Sequence, residues 1–210
     1  MKLILLGAAG SGKGTLAKQI SADFHIPQIS TGDLFREIIK SGSELGELVK
    51  SYINKGNLVP NEVTFKVLQN RLEKSDCKNG YILDGFPRTL QQAEMLAKLT
   101  EIDVVISLEL GFAELEKRLV SRRLCPSCGE IDNTNHAGYN GKCRKCSATL
   151  FQRDDDKPEA IKTRLEVYKS QVAPLINFYG DKVQSVSSSG TPDETYSRVK
   201  TFLKDLEAKN

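Results

Sequence analysis

Gly7-Ala8-Ala9-Gly10-Ser11-Gly12-Lys13-Gly14-Thr15 follows directly on the apolar run Leu3-Ile4-Leu5-Leu6. The order reads as a buried strand, a glycine-rich turn and a helix start. Glycines let backbone N–H groups close around phosphate oxygens, and a helix N-terminus adds partial positive charge. Lys13 supplies a mobile point charge for the outer phosphates. The stretch points to a nucleoside triphosphate, handled by positioning and electrostatics. It departs from the usual phosphate-loop pattern, which has Ser or Thr directly after the lysine. Here Gly14 stands there and Thr15 follows. A glycine-rich turn that binds nothing is the alternative, yet four glycines and a lysine start a helix poorly without a ligand.

Outward from this loop, strands alternate with helices, which predicts an α/β fold with a central parallel sheet. Strands are expected at 2–6, 26–29, 81–83, 104–108 and 183–186. Helices are expected from the loop to about Phe24, after Ser30-Thr31-Gly32-Asp33, from Pro60 and Asn61 through Arg71, from Thr89, and over 112–123. A long helix starts near Pro158, a favourable first-turn position, with a kink expected at Pro174. The last helix opens on Thr191-Pro192-Asp193-Glu194, a capping box with proline at the first helical position. Two segments break the rhythm: 30–60 is helical where one crossover helix would serve, and 124–153 is rich in Cys, Gly and Asn. Both read as insertions on the ligand side of the sheet.

Cys125-Pro126-Ser127-Cys128 and Cys143-Arg144-Lys145-Cys146 are two C-x-x-C pairs with fourteen residues between them. That spacing fits a tetrahedral zinc site with four thiolate ligands, which closes the coordination shell and makes the ion structural. The intervening segment has few apolar residues and needs an ion to hold it together. Disulfides or unliganded thiols are the alternative. His136, between the pairs, reads as a solvent-facing loop histidine, and Cys77 as a packed small side chain. A nucleic-acid knuckle would need a stacking platform, and only Tyr139 is aromatic there.

The chain has 210 residues, 39% of them apolar, and a net charge of +3. One domain with insertions fits that length, and the near-neutral charge implies no nucleic-acid or membrane partner. The apolar run near the N-terminus is too short for a signal-peptide core, and no stretch reaches membrane-spanning length. A cytoplasmic protein with reduced or metal-bound cysteines is expected.

Arginines stand at element boundaries: Arg36, Arg88, Arg118, Arg122, Arg123, Arg153 and Arg164. Their planar forks suit the equatorial oxygens of a transferring phosphoryl group. Arg88 follows Leu83-Asp84-Gly85-Phe86-Pro87, a strand end whose carboxylate, Asp84, is placed to orient the waters of Mg²⁺.

The phosphate loop, Ser30-Thr31-Gly32-Asp33, Asp84-Gly85-Phe86-Pro87-Arg88-Thr89 with Gln92, and the four-cysteine insertion together resemble the adenylate kinases of the long, zinc-containing bacterial type. The likeness runs over essentially the whole chain. It implies a P-loop three-layer sandwich and reversible transfer from MgATP to AMP, giving two ADP. It further implies a core of residues 1–29, 60–120 and 157–210, an AMP-binding helical insertion of 30–59 and a zinc-bearing lid of 121–156. In that pattern Gly10, Ser11, Gly12, Lys13, Gly14 and Thr15 hold the ATP phosphates. Arg118 stacks on the ATP adenine and Arg122 contacts phosphate. The adenine-side contacts fall at Ile131, Asp132 and Pro192. AMP is held by Thr31, Arg36, Asn57, Leu58, Val59, Gly85, Phe86, Pro87, Arg88 and Gln92. Arg153 from the lid and Arg164 from the long helix close on the transferring group. Lys13, Asp84, Arg88, Arg122, Arg153 and Arg164 form the catalytic set, and Asp155 and Asp156 the acidic hinge of the lid. A monomer acting on ATP, AMP and ADP is implied.

Three other readings stay open on the sequence. One is a kinase for UMP, CMP or GMP, against which Thr31 and Gln92 speak by resemblance. Another is a zinc-knuckle module that retains a nucleotide loop. The third is a P-loop switch protein, which would need no acceptor site.

Overall fold

The computed structural model describes residues 1–208. Its centre is a five-stranded sheet in the order β2-β3-β1-β4-β7, every pairing parallel. The strands are β1 (Lys2–Gly7), β2 (Gln28–Ser30), β3 (Tyr81–Asp84), β4 (Val104–Glu109) and β7 (Val183–Ser187). Side chains alternate across this sheet and make two cores. Leu3, Leu5, Ile82, Val104, Ile106 and Leu108 face one way and pack with helices α1 (Lys13–Phe24) and α8 (Pro192–Glu207). Ile4, Leu6, Leu83 and Val105 face the other and pack with α4 (Asn61–Leu72), α5 (Leu90–Leu99) and α7 (Pro158–Tyr179). A parallel sheet covered on both faces needs such continuous apolar runs, and the result is three layers.

The chain reverses direction across the sheet at β1. β3 lies on one side of β1 and β4 on the other, so a crevice opens at the carboxyl end of β1. The glycine-rich loop leaves β1 at that point.

Two boundaries differ from the expectations in ways that matter to the site. The 112–123 helix stops at Ser121 (α6, Phe112–Ser121), and Arg122–Leu124 is strand β5, paired antiparallel with β6 (Ile131–Asn133). The hairpin wins because Leu124 also bridges to Phe151 and because Asp156 fixes the Arg122 side chain. β2 starts at Gln28 rather than Ile26, although Ile82 N–H still reaches the Pro27 carbonyl at 2.9 Å. Helix α7 continues through Pro174 to Tyr179. The capping box at Thr191 is present, with both reciprocal bonds.

Between β2 and α4 lie α2 (Thr31–Lys40) and α3 (Glu44–Ile53). They share a small core of Phe35, Val49 and Val59, bordered by Ile38, Ile39, Tyr52 and Ile53. Their close approach depends on Gly46: a Cβ there would stand 2.6 Å from the Ile38 carbonyl oxygen.

The cysteine module, carrying β5 and β6, has almost no apolar interior: Cys125, Cys143 and Leu150, with Tyr139 and Ala148 against them. Each cysteine pair forms a tight turn. Gly129 N–H bonds to the Cys125 carbonyl at 3.1 Å and Ser147 N–H to the Cys143 carbonyl at 2.8 Å. Both residues that close these turns are left-handed, Gly129 at φ 68° and Ser147 at φ 62°. An exposed pair, Lys18–Glu130 at 3.5 Å, links the module to α1. No helix is long and apolar enough to cross a membrane among the described residues.

Candidate active site

A cleft of about 550 Å³ opens over the carboxyl ends of the strands. That is within the range of small-molecule sites. Nine cationic side chains line it: Lys13, Lys18, Arg36, Arg88, Arg118, Arg122, Arg144, Arg153 and Arg164. The carboxylates lining it are Asp33, Asp84, Asp132 and Asp155. The excess of positive charge is therefore concentrated here, since the whole chain carries only +3. Such a cleft attracts polyanions.

The floor is the glycine-rich loop. No side chain caps the start of α1; Thr15 N–H turns back to the Gly12 carbonyl at 3.1 Å, which leaves the Lys13 and Gly14 amides without a backbone partner among the described residues. Lys13 lies back across the loop, its Nζ donating to the carbonyls of Gly7 at 2.7 Å and Ala8 at 2.8 Å. Burial, and then the positive charges of Arg88, Arg164 and Arg122, pull its ammonium down to about 8, partly offset by Asp84. Asp84, at the end of β3, accepts from Gln28 Nε2 at 3.1 Å.

One wall holds two arginines on a single carboxylate. Asp156 is fully buried. It accepts from Arg122 Nε at 2.8 Å, from Arg122 Nη2, and from Arg164 Nη1 at 3.0 Å. Arg164 also pairs with Asp155 at 2.8 Å. Burial alone would raise the Asp155 carboxyl, but Arg164, Arg122 and Arg153 outweigh it and hold the group below its ordinary range. Arg153 has a buried Nε without a hydrogen-bond partner among the described residues, as does the Ser11 hydroxyl. Desolvation and the neighbouring Arg122 and Arg36 lower Arg153 to about 10, and the cleft walls and Arg164 do the same for Arg88. Both stay charged at neutral pH. Buried donors without acceptors, crowded by like charge, describe a site that an anion would complete.

The other end of the cleft has its own polar framework. Thr31 Oγ1 and Arg88 Nε both donate to the Gly85 carbonyl, at 2.9 and 2.8 Å. Arg36 pairs with Asp33. Gln92, buried on α5, accepts from Arg88 N–H at 2.7 Å. Asn57, Leu58 and Val59 line the same end, as do Phe35 and Thr64.

The structure brings nearly all of the expected residues to this one cleft: Gly10 to Thr15, Thr31, Arg36, Asn57, Leu58, Val59, Asp84, Gly85, Arg88, Gln92, Arg118, Arg122, Ile131, Asp132, Arg153, Arg164 and Pro192. Two do not line it. Phe86 is 1% exposed and packs in the core between the sheet and α5. Pro87 borders a smaller neighbouring cavity beside α7. Conversely, His136 and Arg144 of the cysteine module line the cleft. Arg144 Nε pairs with Asp132 at 3.0 Å and its Nη1 lies 3.0 Å from His136 Nε2. Cys77 is a buried thiol, 3.0 Å from Arg71, that burial pushes up and so keeps unreactive.

The four thiols at the far end of the module, Cys125, Cys128, Cys143 and Cys146, have their sulfurs within 4.8 Å of one another. Neighbouring sulfurs are 3.4 to 3.5 Å apart. A disulfide needs about 2.05 Å. Four sulfurs about 2.3 Å from one central ion stand close to 3.8 Å apart, so the cluster fits a tetrahedral metal. The turn amides of Cys128 and Lys145 point at the Cys125 and Cys143 sulfurs, at 3.5 and 3.4 Å, as they would toward thiolates.

Residues 5–184 match the family model for adenylate kinase. An adenylate kinase of Thermodesulfovibrio yellowstonii is 46% identical over 212 residues, covering 97% of this chain and 99% of that protein. One from Caldicellulosiruptor saccharolyticus is 45% identical over 98% of this chain and 99% of its own length. One from Archaeoglobus fulgidus is 44% identical over 99% of this chain and 97% of its own. With a phosphate loop, a two-ended cationic cleft and relatives matched from end to end, the chain belongs to the adenylate kinase family.

Proposed function

We propose that the cleft transfers a phosphoryl group reversibly between MgATP and AMP, giving two ADP, with the roles distributed as follows. The loop from Gly10 to Thr15 and Lys13 hold the ATP phosphates. Arg118, beside the Ser188 carbonyl at 3.3 Å, lies along the ATP base, with Ile131, Asp132 and Pro192 near it. Thr31, Arg36, Asn57, Leu58, Val59, Gly85, Arg88 and Gln92 hold AMP. Arg88, Arg122, Arg153 and Arg164 surround the space between donor and acceptor and neutralise charge on the transferring group. The observation that carries the reading is the single cleft that joins a phosphate loop to the Thr31, Gly85 and Gln92 end, with arginines between.

Bound with ATP, Mg²⁺ would supply further neutralisation of charge, and Asp84 is the carboxylate that would hold its water shell. Zinc in the four-thiolate cluster makes the cysteine module a stiff unit and takes no part in the chemistry. Residues 30–59 and 121–156 close over the cleft against a core of 1–29, 60–120 and 157–210. Closure keeps water from the γ-phosphoryl group. The protein works as a cytoplasmic monomer on ATP, AMP and ADP, with no nucleic-acid or membrane partner.

ADP formation from ATP and AMP, followed with and without Mg²⁺, tests the proposal. Transfer should need both nucleotides and Mg²⁺, and Arg88→Ala should lower kcat by about 10³-fold, the usual worth of a transition-state arginine. Equal ATP consumption without AMP would overturn it. Higher turnover with UMP, CMP or GMP than with AMP would reassign the acceptor.

A further inference from the structure

We infer that Asn61 is a positioning residue that fixes which way round the Gln92 amide faces the acceptor base, and so selects a 6-amino purine over a 6-oxo purine. The inference rests on the reading above in which Gln92 meets that base.

Gln92 is 1% exposed and lines the cleft. Its two polar atoms each have one fixed partner. Oε1 accepts from the Arg88 backbone N–H at 2.7 Å, and Nε2 donates to Asn61 Oδ1 at 2.8 Å. Asn61 has two further partners. Its Oδ1 accepts from Thr89 Oγ1 at 3.3 Å and its Nδ2 donates to Gln91 Oε1 at 2.7 Å. The Thr89 hydroxyl accepts from Gln92 N–H at 3.2 Å as the cap of α5, so its single hydrogen is left for Asn61. Every bond in this chain runs one way.

A half-turn of the Gln92 amide would set its NH₂ against the Arg88 N–H and its oxygen against Asn61 Oδ1. Two donors would meet at one end and two acceptors at the other, around a side chain that is itself 1% exposed. The arrangement leaves Gln92 one N–H and one lone pair for a ligand. The six-membered edge of adenine offers an acceptor at N1 and a donor at N6. Hypoxanthine offers the reverse, a donor at N1 and an acceptor at O6. A freely turning glutamine would serve both equally. The choice between them therefore lies in what holds the amide, and Asn61 holds its nitrogen end.

The test measures kcat and KM for AMP and IMP as acceptors, at saturating MgATP, in the wild type and in Asn61→Ala, Asn61→Asp and Gln92→Ala. Asn61→Ala should raise KM for AMP and lower the AMP-to-IMP ratio of kcat/KM about tenfold, the worth of one hydrogen bond, while kcat with AMP stays within about twofold. Asn61→Asp keeps the acceptor toward Gln92 and should hold the ratio within about threefold of wild type. An unchanged ratio in Asn61→Ala overturns the inference, as does an equal loss in Asn61→Asp. If Asn61→Ala fails to fold, Asn61→Ser withdraws the same oxygen and is judged by the same ratio. An unchanged KM for AMP in Gln92→Ala would instead overturn the reading of Gln92 on which the inference stands.

Discussion

The α2–α3 segment and the cysteine module border the same cleft, yet their interiors have little in common. The first has an apolar core: Phe35, Val49 and Val59 are buried, with six further aliphatic or aromatic side chains around them. The second has two cysteines and two leucines, Leu124 and Leu150, buried, with four sulfurs gathered at one point. A segment of about thirty residues buries too little surface to be stable alone. One solves this by leaning on α4, through Val63 and Val67. The other gathers four thiols that could hold a metal, and on the proposed reading metal–thiolate bonds replace the missing core. The first should therefore lose order together with the core, and the second should lose it separately.

Removal of the metal is the largest expected effect. A chelator, or Cys143→Ser, should cut ADP formation about a hundredfold by displacing Arg153 and Arg122, since misplacement on an ångström scale costs that much. AMP binding should be spared, and calorimetry should show a new low-temperature transition above which the sheet remains folded. A uniform drop in the main transition would mean that both segments depend on the core alike. Val49→Ala comes next, at about 2–3 kcal/mol for a fully buried aliphatic. It should shift the main denaturation transition and raise KM for AMP while leaving KM for MgATP alone. A rise in both constants would erase the distinction.

The loop beneath both segments answers to pH. Burial sets the Lys13 ammonium at about 8 against an ordinary 10.5. Between those values the unfolded chain holds the proton that the folded chain has released, so stability rises with pH across that window. Phosphate binding needs the charged form, so kcat/KM for MgATP should fall about tenfold per unit above 8. Lys13→Met should abolish both trends, and parallel trends in stability and kcat/KM would contradict the assignment. The smallest effect lies in the second cysteine turn. Ser147 holds a left-handed conformation that Gly129 occupies in the first turn. Ser147→Gly should stabilise the module by about 1 kcal/mol, read from the low-temperature transition of the metal-free protein.

Much of this was legible in the chain because it is local. Leu3-Ile4-Leu5-Leu6 alternates between two buried faces, and the glycine loop must leave such a strand at its carboxyl end. The Asp84-to-Arg88 string placed an arginine and a carboxylate together. The same string misled at Phe86, which is adjacent to Gly85 and Arg88 in sequence but turns into the core. β5 was hidden because Arg122 and Arg123 continue the helical pattern of α6, and only the distant Asp156 and Phe151 end it. Arg144 and His136 could not be assigned to the cleft, because their position depends on how the cysteine turns fold back. The Asn61–Gln92 contact joins residues thirty-one apart. No periodicity reports it.

Asp156 grips Arg122 with both oxygens and Arg164 with one, and the two arginines stand at opposite ends of the module's attachment, at β5 and α7. A module pivoting about that carboxylate would swing Arg122 about a charge on the core, Arg164, that is already its neighbour. Their mutual repulsion has been met during folding, before any nucleotide arrives. Binding then has only to supply the phosphate, and the electrostatic work of assembling the arginines is not repeated in each catalytic cycle.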